Sequence, residues 1–210
     1  ERYQDSLLYR IRHSTAHIMA EAVLERFPGA NIAIGPAIDD GFYYDYYLPA
    51  RIAPEDFPRI EAEMLRIVAA DLPFEKIQLD RAEAAAALQG KKYRLERLKD
   101  IPEGEPITFY KCGDFMDLCR GPHLARTGEI KAFKLLSVAG SYYRGLETNP
   151  MLQRIYGIAA QSRKELEAYL KRLEEARKRD HRKLGRELDL FSAHDEVGPG
   201  LILWHPKAAM

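Results

Sequence analysis

Apolar positions recur at helical spacing over residues 5–27, where Leu8, Ile11, Thr15, Ile18 and Ala22 form one stripe. Asp5 or Ser6 can cap this helix. The period then changes. Ile32 and Ile34 alternate with polar or small residues, Asp39-Asp40-Gly41 marks a turn, and Phe42, Tyr44 and Tyr46 alternate with Tyr43 and Asp45. The spacing predicts a hairpin over 31–48. Residues 54–70 return to the helical period with Phe57, Ile60, Met64, Ile67 and Val68 on the buried side. Pro54 suits the first turn, and Glu55 and Asp56 sit near the positive end of the helix dipole.

The next elements are shorter. Phe74 to Leu79 reads as a strand, and the capping box Asp80–Glu83 opens an alanine-rich run, 84–87, which Gly90 stops. Tyr93 to Leu98 and Ile107 to Tyr110 are expected strands, joined by the turn-rich stretch 102–106. Residues 129–138 and 141–144 suggest a strand pair around Gly140, and 151–160 is ambiguous between strand and helix. A second capping box, Ser162–Glu165, opens a helix expected to reach about residue 186, with Leu166, Tyr169, Leu170, Leu173 and Ala176 as its stripe. From Asp189 on, Phe191, Leu201–Leu203 and Trp204 have too few apolar partners for a core, so this end reads as the opening of a domain that has been cut away.

Composition narrows the class. The chain has 210 residues, 46% of them hydrophobic, and a formal net charge of zero. It therefore carries no global electrostatic signature of nucleic-acid binding, and any basic patch is local. Two such patches stand out: Lys91-Lys92-Tyr93-Arg94, and the run Arg177, Lys178, Arg179, His181, Arg182, Lys183, Arg186. Each is either a solvated surface or a contact for RNA phosphates, and the first could instead supply a cation to the site. Two cysteines seven residues apart make no disulfide framework; they fit a reducing compartment, with metal binding or site chemistry as alternatives. No run of 18 apolar residues and no signal peptide is present, so a soluble, cytoplasmic protein without membrane contact is expected.

The chemistry concentrates in Cys112 to His123, which holds both cysteines, two aspartates, an arginine and a histidine. Gly121 permits unusual backbone angles and Pro122 fixes φ, giving a stiff bend that can aim Cys119 and His123 at one point. His13 and His17 lie one helical turn apart, roughly 160° from the centre of the apolar stripe. They are either two solvated histidines or the other half of a pocket shared with Asp117, Cys119 and His123. Ser14 follows His13, so this is not the HExxH of zinc proteases. The aromatics of 42–46 are either sheet packing or a stacking platform for a terminal base.

His13-Ser-Thr-Ala-His17, Ile34-Gly-Pro36, Gly41-Phe-Tyr-Tyr-Asp45, Asp117-Leu-Cys-Arg-Gly-Pro-His123 and Met151-Leu-Gln-Arg-Ile-Tyr-Gly157 occur in this order. Together they resemble the bacterial-type threonyl-tRNA synthetases. The resemblance implies an α+β fold, helices on an antiparallel sheet, of the threonyl/alanyl editing-domain type, with the long C-terminal helix outside. Residues 1–160 would be the editing domain, 161–188 the linker helix and 189–210 the start of the aminoacylation domain. It implies hydrolysis of serine wrongly attached to tRNA(Thr), and no ligase activity from this piece alone. His13, His17, Asp117, Cys119 and His123 are the implied catalytic set, and Tyr44, Lys92, Arg94 and Arg120 the substrate-binding candidates. Asp117 suits the substrate ammonium, and Cys119 is favoured as a wall over a covalent nucleophile.

Related members place a lysine after the tyrosine aligned with Tyr93. Here Arg94 stands there, unless Lys92 fills the role through a shifted register. Arginine stabilises charge but does not release a proton at working pH. The implied partners are the seryl 3′ end of tRNA(Thr) and the rest of the synthetase. Editing would need no cofactor; ATP, magnesium and zinc would serve only the absent catalytic domain. The main rival is zinc held by His13, His17, Cys119 and His123, as in the related alanyl editing domain. The rival function is a non-catalytic tRNA-binding or linker module with an inert cluster or a structural zinc.

Overall fold

A computed structural model describes residues 2–179, 184–185, 187–193, 198 and 201–208. They form two compact units, residues 1–166 and 167–210.

The first unit is built around helix α1, Leu7–Arg26. Ser6 caps it, its side chain accepting from Tyr9 N at 3.1 Å. Every residue from Ile11 to Val23 is buried. The helix packs on a five-stranded antiparallel sheet made of β1 (Asn31–Ile32), β2 (Ala37–Ile38), β3 (Gly41–Tyr47), β7 (Ala132–Tyr142) and β8 (Met151–Ala160). The path runs β1-β3-β8-β7, with β2 also paired to β3. The expected hairpin is thus two short strands, β1 and β2, laid along β3 and separated by Ala33–Pro36. Helix α2, Phe57–Ala69, covers α1 from another side. Phe42, Tyr44, Ile155 and Ala159 of the sheet join Ile18, Met19 and Ala22 of α1 and Ile60, Met64 and Ile67 of α2 in one core.

A smaller antiparallel sheet, β4 (Glu75–Leu79), β5 (Ile107–Cys112) and β6 (Phe115–Leu118), carries helices α3 (Arg81–Ala87) and α4 (Lys92–Lys99). Its two faces do different jobs. Ile107 and Phe109 join Ala84, Leu88 and Leu98 in a satellite core. The alternate residues Cys112 and Phe115 join the main core beside α1. Because side chains alternate with period two, Asp117 shares the face of Phe115 and pairs in register with Tyr110.

Three elements differ from expectation. Residues 93–98 are helix, not strand. Arg, Leu, Glu and Lys are strong helix formers, and Leu95 and Leu98 turn together onto the satellite core. Residues 132–142 are one strand, not a pair around Gly140, with a bulge between Leu135 and Ser137. Its true partner is β8, which settles 151–160 as strand. The expected long helix, α5, spans Arg163–Lys178. Ser162 caps it through Glu165 N at 3.2 Å. The rest of the basic run, His181, Arg182, Lys183 and Arg186, lies outside the described residues.

In the second unit, β9 (Phe191–Ala193) pairs antiparallel with β10 (Ile202–Trp204). Leu201, Ile202, Leu203 and Trp204 are all exposed. No helix among the described residues is long and apolar enough to cross a membrane.

Candidate active site

The i, i+4 spacing sets His13 and His17 on one face of α1, with Tyr9 a turn earlier. That face is not solvated. Both histidines are buried, because α1 is covered on every side and its polar face meets the β5–β6 sheet. Of the two readings of these histidines, the solvated face does not hold.

After β6 the chain turns through Cys119 to His123. Cys119 is pinned to β5: its N–H donates to Thr108 O at 3.0 Å, and Thr108 Oγ1 donates to its carbonyl at 2.7 Å. Gly121 sits at φ +74°, and a Cβ there would meet the Tyr110 hydroxyl at 2.4 Å, so only glycine fits the bend. The bend brings Cys119 Sγ to 3.3 Å from His123 Nε2 and 3.4 Å from His13 Nε2. His123 stacks on His13 with centroids 4.2 Å apart, lies 4.3 Å from His17, and is backed by Phe74 and Tyr110.

Hydrogen bonds assign the protons. His13 Nδ1 lies 3.1 Å from Pro122 O, which can only accept, so Nδ1 carries the proton and Nε2 the lone pair. Ser14 Oγ accepts from Leu124 N at 3.0 Å and lies 3.1 Å from His123 Nδ1. Its hydroxyl donates to Nδ1, which leaves His123 Nε2–H to donate to Cys119. Gly121 N also donates to the sulfur at 3.2 Å. The thiol proton is then free for His13 Nε2. One arrangement satisfies every partner.

Burial sets the charge states. It lowers the pKa of His13 to about 4, despite the opposing effects of the Pro122 carbonyl and Asp117. Burial, then His123, His13 and Arg94, holds His17 well below the usual imidazole range, and burial with His13 does the same to His123. Burial pushes the Cys119 thiol up to about 12. Near neutral pH the cluster is three neutral imidazoles and a protonated thiol.

A second layer is ionic. Arg94 of α4 and Asp117 of β6 form a buried ion pair, and the Tyr44 hydroxyl of β3 bonds to both. Asp117 Oδ1 accepts from Leu118 N at 2.9 Å. The carboxylate therefore has three partners already, and Arg94 occupies the place in which a substrate ammonium was expected. Gly35 lies flat against Tyr44; a Cβ there would fall 1.9 Å from the ring. Phe42, Tyr44 and Tyr46 are fully buried, so their faces are sheet packing and not a base platform.

These side chains open on a cavity of about 420 Å³, lined by His13, His17, Tyr44, Arg94, Asp117, Cys119 and Arg120 among others. His123 stands behind Cys119 and not in the cavity wall. Lys92 is exposed, lies over the Tyr93 ring and does not line the cavity; Arg94 does, which decides the register between them. Tyr9, Thr108, Ser14 and Tyr110 belong to the site and were not singled out from the sequence. Ser14 had a signal, its place between the two histidines; Tyr9 had the preceding helical turn.

The donor atoms of His13, His17, Cys119 and His123 all lie within 4.8 Å of one another. Three imidazoles and a thiol suit zinc: Pro122 O holds the His13 proton on Nδ1 and leaves Nε2 for a metal, and His123 could do the same only with its proton moved to Nδ1 and Ser14 Oγ accepting it. Four protein donors would close a tetrahedral ion and leave no position for water.

A profile of the threonyl and alanyl tRNA synthetase second additional domain matches residues 107–156, which run from β5 through the Cys119–His123 bend into β8. In class, then, this stretch of the chain is similar to that synthetase domain. Over 202 residues, 95% of the chain, it is 57% identical to the threonine--tRNA ligase of Pelobacter propionicus. It is 56% identical to that of Citrifermentans bemidjiense over the same length, and 54% identical to that of Dehalococcoides mccartyi over 200 residues. The chain is homologous to a segment of threonine–tRNA ligases and spans about a third (32–34%) of the length of these relatives.

Proposed function

We propose that this segment proofreads threonyl-tRNA synthesis by hydrolysing the ester of Ser-tRNA(Thr). Residues 1–160 would be the editing domain, 161–188 a linker helix and 189–210 the start of the aminoacylation domain. The observation that carries the reading is the cavity between α1 and β6, which gathers neutral imidazoles and a buried guanidinium in one wall.

Serine is threonine minus a methyl, and such a group gives only about 1–3 kcal/mol of discrimination in one pocket. A synthetic site therefore misloads serine, and a second, smaller pocket is needed to remove it. Ester hydrolysis needs an oriented water, a stabilised oxyanion and a proton for the leaving ribose oxygen. His17 is neutral, and no hydrogen bond engages its ring among the described residues, so it offers a nitrogen to hold water; His13 offers Nε2 once water replaces the Cys119 thiol there. His13 is a weak base, and its role is orientation more than full proton abstraction. Arg94 stays charged and supplies electrostatic stabilisation without proton transfer. Asp117 and Tyr44 position Arg94. Cys119, protonated and held by His13, His123 and Gly121, forms a wall. Arg120, on the cavity rim, is a phosphate or ribose contact. No cofactor is needed for these roles; zinc, if the four-donor cluster held it, would be enclosed. The partners of this reading are the seryl 3′ end of tRNA(Thr) and the rest of a synthetase.

The test is deacylation of Ser-tRNA(Thr) and Thr-tRNA(Thr) by this chain, each with and without a chelator. Loss of serine alone, indifferent to chelation, is the expected result. Failure to hydrolyse either ester, even when the remainder of a threonine–tRNA ligase is supplied, would leave the non-catalytic tRNA-binding module as the better reading.

A further inference from the structure

Beside the ester cavity lies a second one, of about 300 Å³, and the two share Ile34 and Arg97 in their walls. The second is lined by three arginines, Arg97, Arg144 and Arg154, with Asp45, Ser141, Tyr142 and Tyr143. The arginines are not equivalent. Arg154 is committed: Nε and Nη2 donate to the two oxygens of Asp45 at 2.6 and 2.8 Å, and the guanidinium lies 3.9 Å over the Tyr43 ring. Arg97 and Arg144 instead share one oxygen, Asp100 Oδ2, at 3.4 and 2.8 Å. Each guanidinium has five donors, and two positive charges face one carboxylate, so the rim keeps an excess positive charge. Both side chains are partly open to solvent, 44% and 41% exposed.

The loop that carries Arg144 is built to hold it. Arg144 lies at φ +57°, a left-handed conformation that a non-glycine residue seldom adopts. The turn around it is fixed: Tyr143 N donates to Pro150 O at 3.1 Å, Asn149 N to Leu146 O at 2.9 Å, and Asn149 Nδ2 to Tyr143 O at 2.9 Å.

We propose that this second cavity binds the phosphate backbone of the nucleotide preceding the aminoacylated adenosine, through Arg97 and Arg144. The inference rests on the ester cavity being an editing site. A seryl ester seated against His13 and Arg94 must lead its nucleotide chain out of that cavity. The two cavities adjoin at Ile34 and Arg97, so a strand leaving the ester cavity on that side meets a surface with excess positive charge. Guanidinium forks match phosphate oxygens, and backbone contacts of this kind position a strand without reading its bases.

The experiment compares two substrates: the 3′-seryl ester of adenosine, which has no preceding phosphate, and the 3′-seryl ester of a CCA trinucleotide. Arg144→Ala should raise KM for the trinucleotide ester about tenfold, leave its kcat alone, and leave seryl-adenosine unaffected. Arg144→Lys should recover part of the loss. Binding of unacylated CCA trinucleotide, followed by fluorescence anisotropy, should weaken about tenfold in Arg144→Ala, with the salt slope shallower by about 0.7. Equal KM values for the two esters in the unsubstituted protein, or an equal loss on both in Arg144→Ala, would overturn the phosphate site. If neither ester is hydrolysed, the editing reading fails and trinucleotide binding alone decides: weaker binding in Arg144→Ala supports the site, and unchanged or absent binding refutes it.

Discussion

Arg94 and Asp117 form an ion pair whose side chains are 7% and 1% exposed, and the hydroxyl of Tyr44 bonds to both. The pair ties α4, β6 and β3 together under the floor of the cavity. Removing one partner of a buried pair leaves an uncompensated charge and costs about 3–5 kcal/mol. Asp117→Asn should lower unfolding stability by that amount in urea titrations, with the m-value unchanged. A loss below about 1 kcal/mol would show the guanidinium relaxing to solvent. An apolar pair, Arg94→Met with Asp117→Leu, should recover most of the loss while abolishing hydrolysis.

Cys119 is predicted to be an inert thiol. Burial raises its pKa to about 12, so the thiolate is a minor species at neutral pH. The sign is that of an acid whose charged form is disfavoured: reactivity should rise with pH and show no plateau below about pH 10. Alkylation by iodoacetamide at pH 8 should be far slower than for a free cysteine. Cys119→Ser should keep hydrolysis within about tenfold, since a nucleophile would be lost outright. A trapped seryl thioester, or a burst of one equivalent, would overturn the assignment.

The sequence made much of this site legible, for physical reasons that differ between its parts. The bend Arg120–His123 is local: glycine and proline dictate it within four residues, so the meeting of Cys119 and His123 could be anticipated. His13 and His17 were ambiguous, because their burial depends on β5 and β6, about a hundred residues away. A helix covered on all sides shows no single stripe, and periodicity then misplaces its polar face. Residues 93–98 failed for a related reason. Six residues with three apolar positions fit either period, and only the satellite core of Ala84, Leu88 and Ile107 decides between them. The pairing of β7 with β8 was hidden by Gly140, which reads as a turn but lies within β7 opposite Gln153, with the Met151 side chain beside it. Ser14 showed only its place beside His13; its part in the site depends on His123, about a hundred residues away.

Zinc is predicted to inhibit. The four donors of His13, His17, Cys119 and His123 would surround the ion, so neither His17 nor His13 Nε2 could orient water. Added zinc should slow deacylation and a chelator should restore it. Ser14→Ala, which removes the partner of His123 Nδ1, should weaken zinc binding about 10–100-fold in a competition titration. If chelation instead abolishes hydrolysis and zinc restores it, the ion is catalytic and one of the four donors is not a ligand.

Glu21, one turn beyond His17 on α1, sets a pH dependence of stability separate from the site. Its Oε2 is buried with no hydrogen-bond partner among the described residues. Burial first, then Glu25, with smaller effects from Asp114 and Glu63 and partial relief from Arg66, raises its pKa to about 7. In the unfolded chain it titrates near 4.5. Between these values the folded state holds a proton that the unfolded state has lost, so stability falls as pH rises from 4.5 to 7. The full difference is about 3 kcal/mol. Glu21→Gln keeps the shape and removes the titration. It should be as stable as the parent at pH 4.5 and more stable by about 2–3 kcal/mol at pH 8, read as the difference between urea unfolding curves at the two pH values. Equal stability of the two proteins at pH 8 would mean that Glu21 ionises in the folded state at its ordinary pKa, with water reaching the oxygen that here has no partner.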